Sequence, residues 1–422
     1  MVDSTLPLLL QGYAWLPDRR RRSGGAPVRT RLLGKKAIAL HGPAAVRFFY
    51  DEQHIHRQDA LPQPVIDTLF GQGAVHTLDG ERHRVRKALF TGLLKDPSAV
   101  RELADQVDRE LERAGAEWSG HQRVVLFDAL AKVLTRAVHT WAGVPLAEDE
   151  LRYTARDLIA MVDGFAAVGP RHLRARRARR RQEERLAPLV EAVRAEPRPG
   201  GGGPGSTVFR TVAAHRDAEG ALLTPHTAAV EVLNVLRPTV AITWFAVFAA
   251  HALHRHPEHR AALTADDGPG FGRAFAQEVR RFYPFAPFVG GLAAERLEWA
   301  GRTIDAGTMV LLDLYGLDHD PDLWPEPYRF DPSRFRSGPA PADALVPQGG
   351  GPVDGHRCPG EDVTVSVLAT VARFLARSAY EVPEQDLRIP LERIPTAPRS
   401  GFVVSDFAVP PAARRAEDQH PA

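Results

Sequence analysis

Residues 225–254 have the pattern of a long, buried, apolar helix, and this segment constrains the fold more than any other. Thr224 and Pro225 give it a typical start, with a hydroxyl at the N-cap and proline at the first helical position. Arg237 and Pro238 nevertheless stand side by side in its middle. A buried cation is costly unless it is paired, and a proline inside a helix costs about 3 kcal/mol. We therefore expect a functional reason for both residues.

The composition favours a large globular protein over several other classes. The chain has 422 residues, of which 44% are hydrophobic, and this is enough for a large core. Lys and Arg number 54 against 52 Asp and Glu, so the total charge does not indicate a nucleic-acid or polybasic membrane partner. The apolar run near the N-terminus is too short for a signal sequence or a spanning helix. Glu231, Asn234 and Arg237 make 225–253 a poor membrane span. We expect a cytoplasmic protein without stable membrane insertion.

The pattern along the chain predicts a fold that is mainly α with small β-sheets. Helical periodicity is found at 99–118, 126–144, 271–283 and 363–378. Strand-like pieces are short, at 30–42, 297–315 and 401–409, and the second of them resembles a hairpin. The glycine-rich stretch 197–207 is expected to be a surface loop. We expect a single domain over 1–422, with a short mobile tail from about 411.

The arginine-rich run at 171–185 allows two interpretations. One is a contact with an anion or a nucleic acid. The other, which we favour, is a solvated helix face, because no aromatic residues alternate with the arginines as stacking on bases requires.

Cys358 is the only cysteine, so structural disulfides and multi-cysteine metal sites within the chain are excluded. An inert buried thiol is the plain interpretation. Its setting in 347–362 argues for more, because glycines crowd around it and allow the backbone to approach a large flat group. A long apolar helix follows, and a helix N-terminus stabilises a thiolate. Arg357 and His356 add positive charge that suits anionic groups.

Three features in the last third of the chain occur in a specific order. Glu278 and Arg281 are three residues apart on one helix, the proline-rich aromatic stretch 320–335 follows, and GHRCPGE at 355–361 precedes the final helix. This order resembles a cytochrome P450. The resemblance implies the fold of that family, with heme b between the long central helix and the helix after the cysteine loop. It also implies Cys358 as the axial thiolate ligand of the iron, and a Glu278–Arg281 pair that braces the core against 320–335.

Two departures narrow the resemblance. Gly351 stands where a phenylalanine is common, and His356 where an arginine usually contacts a propionate. The central helix offers Arg237-Pro238 in place of the acid and threonine that deliver protons to dioxygen. This combination resembles the fatty-acid peroxygenase branch, with matching segments at 72–90, 161–181, 233–245, 280–291 and 355–361. That branch uses hydrogen peroxide directly and needs no redox partner.

The resemblance implies a role for Arg237 and Pro238. The carboxylate of a long-chain fatty acid would bind Arg237 and become the missing counter-ion of the buried guanidinium. It would also act as the general acid–base that the helix lacks. Oxidation at the α or β carbon would give 2- or 3-hydroxy acids, and decarboxylation would give terminal alkenes. Pro238 is expected to kink the helix and make room above the iron.

Further site residues follow from the same resemblance. His76 corresponds to a distal-pocket position that is Gln in some hydroxylating members and His in alkene-forming ones, and Phe70 is expected to pack against it. The expected lining of the substrate channel is Phe288, Val289 and Gly290. The candidate partners of the heme propionates are Arg57, His83, Lys87 and His356, each of which could instead be an ordinary surface charge.

Other functions remain open from the sequence. A monooxygenase fed by a redox partner would need the acid–alcohol pair that the central helix lacks. A peroxygenase could act on a different carboxylate in a biosynthetic pathway, because Arg237 requires only the carboxylate. A non-catalytic heme-thiolate or lipid-binding protein is the third alternative. For Arg237 itself, the plain alternative is a partly exposed residue paired with a nearby acid such as Glu231.

Overall fold

Helices form most of the protein. The structure, a computed structural model, describes residues 2–196, 208–265, 270–338, 340 and 343–409. The glycine-rich loop expected at 197–207 and the tail expected from about 411 lie outside these residues. The helices within the described ranges are α1 Thr5–Gln11, α2 Trp15–Arg22, α3 Pro43–Tyr50, α4 Gln63–Val65, α5 Gly80–Leu94, α6 Pro97–Trp118, α7 Leu126–Ala142, α8 Leu151–Asp163, α9 Pro170–Ala195, α10 Val208–Ala213, α11 Pro225–Arg255, α12 His259–Thr264, α13 Gly270–Phe282, α14 Leu314–Asp318 and α15 Glu361–Arg377.

The strands of the described residues form small sheets. They are β1 Val28–Leu32, β2 Lys35–Leu40, β3 Ile55–His56, β4 Val124–Val125, β5 Phe288–Ala293, β6 Leu297–Trp299, β7 Arg302–Ile304, β8 Met309–Asp313, β9 Ala379–Glu381 and β10 Val403–Ala408. Five strands pair in the order β1-β2-β8-β5-β3, three in the order β4-β10-β9, and β6 pairs with β7. Only β2 and β8 run parallel among these pairs. The prediction of a mainly α fold with small sheets is confirmed.

Helix α11 is the central element of the core. The hydroxyl of Thr224 accepts a hydrogen bond from the backbone N–H of Thr227, which caps the first turn as the sequence predicts. The helix packs against α7, α9 and α15, so it is covered on several sides. Among the described helices, it alone is long and apolar enough to cross a membrane, and 94% of its most apolar window is buried inside the protein. A helix that is apolar all round belongs in such a core.

Pro238 lies inside α11 without ending it. The helix is continuous from Pro225 to Arg255. A proline has no N–H, so the carbonyl of Asn234, four residues earlier, loses its usual helical donor. The helix thus continues past Pro238 despite the loss of this hydrogen bond, and the kink stays a prediction.

The hairpin predicted across 297–315 is shorter than expected. Residues Ala300 and Gly301, both with positive φ, close a tight turn between β6 and β7. Strand β8 instead lies between β2 and β5 in the five-stranded sheet. The physical reason is its sequence, because MVLLD is buried at every position and a strand buried on both faces belongs inside a covered sheet.

The Glu278–Arg281 pair joins α13 to the segment 318–331. Both side chains are 0% exposed, and Arg281 Nε lies 2.7 Å from Glu278 Oε2. The guanidinium also donates to the backbone carbonyls of Asp318 and Pro327 at 2.8 and 2.9 Å. Glu278 Oε1 accepts the backbone N–H of Asp331 at 2.8 Å. A buried ion pair with additional hydrogen bonds of this kind is strongly destabilised when one partner is removed.

Replacing Arg281 with methionine should lower the free energy of unfolding by about 3–5 kcal/mol, because Glu278 is left buried without a counter-ion. Urea denaturation followed by circular dichroism measures the loss. The matched control is Arg329→Met, since Arg329 forms an ion pair of the same spacing with Glu326 but is 64% exposed. That variant should change the free energy by less than about 0.5 kcal/mol. Equal losses in both variants would contradict the bracing role.

Candidate active site

Cys358 lies just before α15, in the loop that the sequence singled out. The residue is half-buried, and Gln348 Nε2 lies 3.9 Å from its sulfur. Burial raises the pKa of the thiol, whereas the backbone N–H of Gly360 and the nearby cations Lys87 and Arg280 oppose that rise. Coordination to a metal ion deprotonates such a thiol outright. The surroundings of Cys358 therefore suit a metal-bound thiolate.

The four candidate propionate partners lie together next to the cysteine loop. The rings of His83 and His356 stack with centroids 3.8 Å apart, and Lys87 donates a hydrogen bond to the carbonyl of Arg357. Asp79 accepts the backbone N–H of Arg57 at 2.9 Å and lies 3.4 Å from His356 Nε2. The structure thus brings all four candidate residues into one cluster.

One donor of this cluster, the buried Nη1 of Arg57, has no hydrogen-bond partner among the described residues. His83 Nδ1 lies 3.6 Å from Glu52 Oε1 and His356 Nε2 lies 3.4 Å from Asp79 Oδ1, so both imidazoles have only long contacts with acids. Burial lowers the pKa of His83 to about 3 and that of Lys87 to about 8. Buried polar atoms are normally satisfied, so Arg57 Nη1 and the two weakly paired imidazoles fit the carboxylates of a bound group. Together with the thiol of Cys358, the residues fit a heme.

Arg237 is buried without a carboxylate. The residue is 6% exposed, and its contact with a polar side chain is the one from Nη2 to Asn234 Oδ1 at 3.4 Å. Its Nε has no partner among the described residues. Burial lowers the pKa of Arg237 to about 9, and the neighbouring cation Arg179 acts in the same direction. The guanidinium is therefore a buried cation that lacks its counter-ion.

Glu231 does not supply that counter-ion. Its Oε1 lies 2.7 Å from Arg86 Nη1 and accepts the backbone N–H of Val75 at 2.9 Å. Its Oε2 accepts from Asn234 Nδ2 at 3.0 Å. The alternative in which Arg237 is partly exposed and paired with Glu231 is therefore wrong on both points.

His76 packs against Phe70 with ring centroids 4.3 Å apart, and the guanidinium of Arg237 lies 5.9 Å from the ring of the same Phe70. The buried Nδ1 of His76 has no hydrogen-bond partner in the part of the chain that the structure describes. Burial lowers the pKa of His76 well below its usual value, and the positive charges of Arg237 and Lys87 add to this. The charge of His356 acts on this imidazole in the same direction.

The three residues expected to line the channel belong to β5. Phe288 contacts Trp15 with ring centroids 6.0 Å apart, in an apolar cluster with Leu311. Val289 packs in a different apolar cluster, and a side chain at Gly290 would touch Leu311. Successive side chains of a strand point to opposite faces. Phe288 and Val289 therefore lie on opposite faces of β5, and the lining of a substrate channel by these residues stays a prediction.

Several residues around the site were not predicted to belong to it, and Glu231 was considered only as a partner of Arg237. Gln348 lies near the cysteine sulfur and is held by Arg280 Nε at 2.9 Å. Arg86, Glu231 and Asn234 form the polar cluster next to Arg237. Glu231 and Asn234 are polar residues three apart in an apolar helix, with Arg237 three further on, and that spacing was the available indication.

Known proteins are similar to this chain in sequence and in overall structure. The sequence pattern of the family described as Cytochrome P450 matches residues 272–403, which include Glu278, Arg281 and Cys358. The structure of cytochrome P450SP alpha (CYP152B1) in complex with (R)-ibuprophen is 42% identical, covers 96% of this chain and 99% of that chain, and superposes with a TM-score of 0.92. The chain belongs to the cytochrome P450 family.

Two other solved cytochromes P450 agree with this assignment. Cytochrome P450EX alpha (CYP152N1) with myristic acid is 37% identical over 96% of this chain and 97% of that one, with a TM-score of 0.90. A variant of cytochrome P450 OleT in complex with arachidonic acid is 32% identical over 96% of each chain, with a TM-score of 0.91. A curated relative, abscisic acid 8'-hydroxylase 3 from Oryza sativa subsp. indica, is 25% identical over 90% of this chain and 80% of its own. Within the family, this cytochrome P450 belongs to the fatty-acid peroxygenase branch.

Two buried arginines of this cytochrome P450 should respond to the same substitution with opposite signs. Arg237→Met should raise the free energy of unfolding by about 1–4 kcal/mol in the absence of carboxylic acids, because an unpaired buried cation is replaced by an apolar side chain of similar length. Arg86→Met should lower it by about 3–5 kcal/mol, because Glu231 loses its partner.

Chemical denaturation of the heme-loaded proteins measures both changes. A loss of stability in Arg237→Met would mean that the guanidinium already has a counter-ion in the folded protein.

Proposed function

We propose that the protein is a heme-thiolate peroxygenase that uses hydrogen peroxide to oxidise long-chain fatty acids at the α or β carbon. The products are 2- and 3-hydroxy acids, with terminal alkenes where oxidation is followed by loss of carbon dioxide. The observation that carries this proposal is the buried guanidinium of Arg237 without a carboxylate partner. When bound through Cys358, heme supplies the oxidising chemistry with peroxide.

Arg237 binds the carboxylate of the substrate. Its unpartnered Nε and its weakly held Nη2 offer two N–H groups in the planar fork that matches a carboxylate. Binding supplies the counter-ion and recovers part of the cost of burying the cation. It also fixes the acid end of the chain, so that C2 and C3 are the carbons closest to the point of reaction.

The bound carboxylate moves the proton that the reaction requires. The protein offers no free acid–alcohol pair in the described part of α11: the hydroxyls of Thr239 and Thr243 donate to the backbone carbonyls of Val235 and Val240 at 2.9 and 2.7 Å. Glu231 is held by Arg86. A substrate carboxylate positioned by Arg237 can accept and return a proton at peroxide oxygen as a general acid–base.

Relatives of the same branch support the choice of substrate. The solved structures contain myristic acid, arachidonic acid and ibuprofen, and all three molecules are carboxylic acids. A peroxygenase acting on another carboxylate is the second candidate, because Arg237 recognises the acid group rather than the tail. The occupied hydroxyls of α11 argue against a monooxygenase that depends on a redox partner.

The charges and the burial of the described residues also bear on the localisation and the other partners of the protein. We place the protein in the cytoplasm without stable membrane insertion, which the burial of α11 supports. Neither a redox partner nor a nucleic acid is proposed. The arginines of the basic run pair with acids in five cases: Arg171 with Asp163, Arg176 with Asp67, Arg179 with Glu183, Arg180 with Glu184 and Arg181 with Asp157. Arg179 is buried, and the other four paired arginines support a solvated helix face.

Incubation with hydrogen peroxide and a chain-length series of fatty acids, followed by mass spectrometry, should give 2- and 3-oxidised products without any reductase. Arg237→Ala should lower the turnover by at least about a hundredfold, because the carboxylate is neither held nor positioned. The spectrum of the reduced carbon monoxide complex should still show thiolate-bound heme. The control Arg176→Ala removes a surface arginine, 53% exposed, and should leave turnover unchanged.

Turnover by a reductase system together with none from peroxide would favour the monooxygenase alternative instead. Heme binding without any product from either system would favour a non-catalytic protein.

His76→Gln should shift the products away from alkenes and toward hydroxy acids, with little change in the affinity for the fatty acid. Hydroxylation and decarboxylation share their first step, so the hydrogen-bonding group beside the reacting carbons decides between them. The ratio of alkene to hydroxy acid measures the shift. His139→Gln is the matched control, because His139 is also buried, at 1% exposure, but lies on α7. An unchanged ratio in His76→Gln would remove His76 from the product choice.

A further inference from the structure

One polar pair on α11 holds both ends of the segment that precedes His76. Glu231 Oε1 accepts the backbone N–H of Val75 at 2.9 Å. Asn234 Nδ2 donates to the backbone carbonyl of Phe70 at 3.0 Å. Phe70 carries the ring that packs on His76, and His76 directly follows Val75. The position of the imidazole is therefore fixed from α11 through backbone atoms on both sides of the segment.

The same pair also orients Arg237. Asn234 Nδ2 has two acceptors, the carbonyl of Phe70 and Glu231 Oε2, each at 3.0 Å. Its Oδ1 must then point the other way, toward Arg237 Nη2 at 3.4 Å. A neutral amide oxygen orients a guanidinium without cancelling its charge. Asn234 thus separates the carboxylate of Glu231 from Arg237 and leaves that cation free for an external anion.

Arg86 keeps Glu231 in this role. The two side chains are 8% and 0% exposed and lie 2.7 Å apart. The three groups that contact Glu231 through hydrogen bonds, from Arg86, Val75 and Asn234, are all donors. Burial raises the pKa of Glu231, whereas Arg86 and the hydrogen bonds from Asn234 and Val75 oppose that rise. An ionised carboxylate offers acceptors at both oxygens and needs no acceptor of its own, so it suits three donors. The charge of Arg86 makes such a buried carboxylate tolerable.

We propose that Glu231, held by Arg86, is a positioning residue that aligns Arg237 with His76 and so determines which carbon of the bound carboxylic acid is oxidised. Glu231 acts through Asn234 and through the backbone of Phe70 and Val75, without contact with the substrate. The inference rests on the proposed function, since it assigns an effect on substrate position to Glu231 and Arg86, which do not touch the substrate.

Glu231→Gln tests the alignment with an isosteric change. One oxygen becomes an amide nitrogen, so a donor replaces an acceptor opposite either Asn234 Nδ2 or the N–H of Val75. If Asn234 turns its amide in response, it presents an N–H to Arg237 and repels it. In the heme-loaded protein, the dissociation constant for myristic acid should rise about tenfold, and the ratio of 2- to 3-oxidised products should change. Spectral titration and mass spectrometry give the two readouts.

Asn234→Ala is a second variant that tests the same alignment if Glu231→Gln does not fold. It removes the link to Arg237 and to Phe70 while the Arg86–Glu231 pair and the Val75 hydrogen bond remain. We expect the same direction of change in affinity and in product ratio.

The matched control is Glu110→Gln. Glu110 is a carboxylate of α6 that is 9% exposed and pairs with Arg113 and Arg136 at 3.0 and 3.4 Å. This variant should lose stability but keep the affinity and the product ratio. In Glu231→Gln, Arg86 is left without a counter-ion, and the double variant Glu231→Gln with Arg86→Met removes that cation. The double variant should therefore be more stable than Glu231→Gln but should keep its altered product ratio.

The outcomes separate positioning from structural support. Lost stability with unchanged affinity and product ratio in Glu231→Gln or in Asn234→Ala would overturn the inference. A product ratio restored by the double variant would overturn it too, because stability alone would then explain the effect. If the wild-type protein binds no fatty acid in the same titration, the proposed function itself fails, and the inference fails with it.

Discussion

A guanidinium buried on α11 without a carboxylate is the constraint on which the pocket depends. Arg237 has a neutral amide oxygen for its polar side-chain contact, and Arg179 adds a second positive charge nearby. Such a cation is costly in the folded protein. The surrounding residues do not lower this cost, because Glu231, the nearest acid along the helix, is not available as a counter-ion. It is already bound by Arg86, Val75 and Asn234. The tightly packed core around α11 offsets the cost, so the site is an unfavourable feature that the rest of the fold stabilises.

Features that depend on local sequence could be predicted. Thr224-Pro225 and the apolar run after it fixed the start and the burial of α11, because capping and hydrophobic pattern act over short distances. The order of Glu278, Arg281 and the cysteine loop indicated the family, whereas the thiolate ligand at Cys358 stays a prediction. The contact between Phe70 and His76 also joins residues that are only six apart.

Features that depend on long-range contacts could not be predicted. Arg86 and Glu231 are 145 residues apart, so neither sequence neighbourhood shows that they pair. The sequence even allowed Glu231 as the partner of Arg237, and only the contact of Glu231 with Arg86 of α5 excludes it. Strand β8 is similar, because its apolar sequence shows that it is buried but not that β2 and β5 are its neighbours. The direction of Phe288 and Val289 likewise depends on which face of β5 meets which apolar cluster.

Under the proposed function, substrate recognition and catalysis come from one interaction, that of Arg237 with the substrate carboxylate. The hydroxyls of Thr239 and Thr243 are bound to backbone carbonyls, and Glu231 is bound to Arg86, so α11 keeps no proton donor of its own for the pocket. A molecule without a carboxylate would leave Arg237 uncompensated and would also bring no general acid–base. An alcohol or amide of the same chain length therefore loses both the attraction to the site and the proton transfer. Binding energy is thereby tied to the group that the reaction needs, which explains why an unfavourable buried cation is retained in the middle of the core helix.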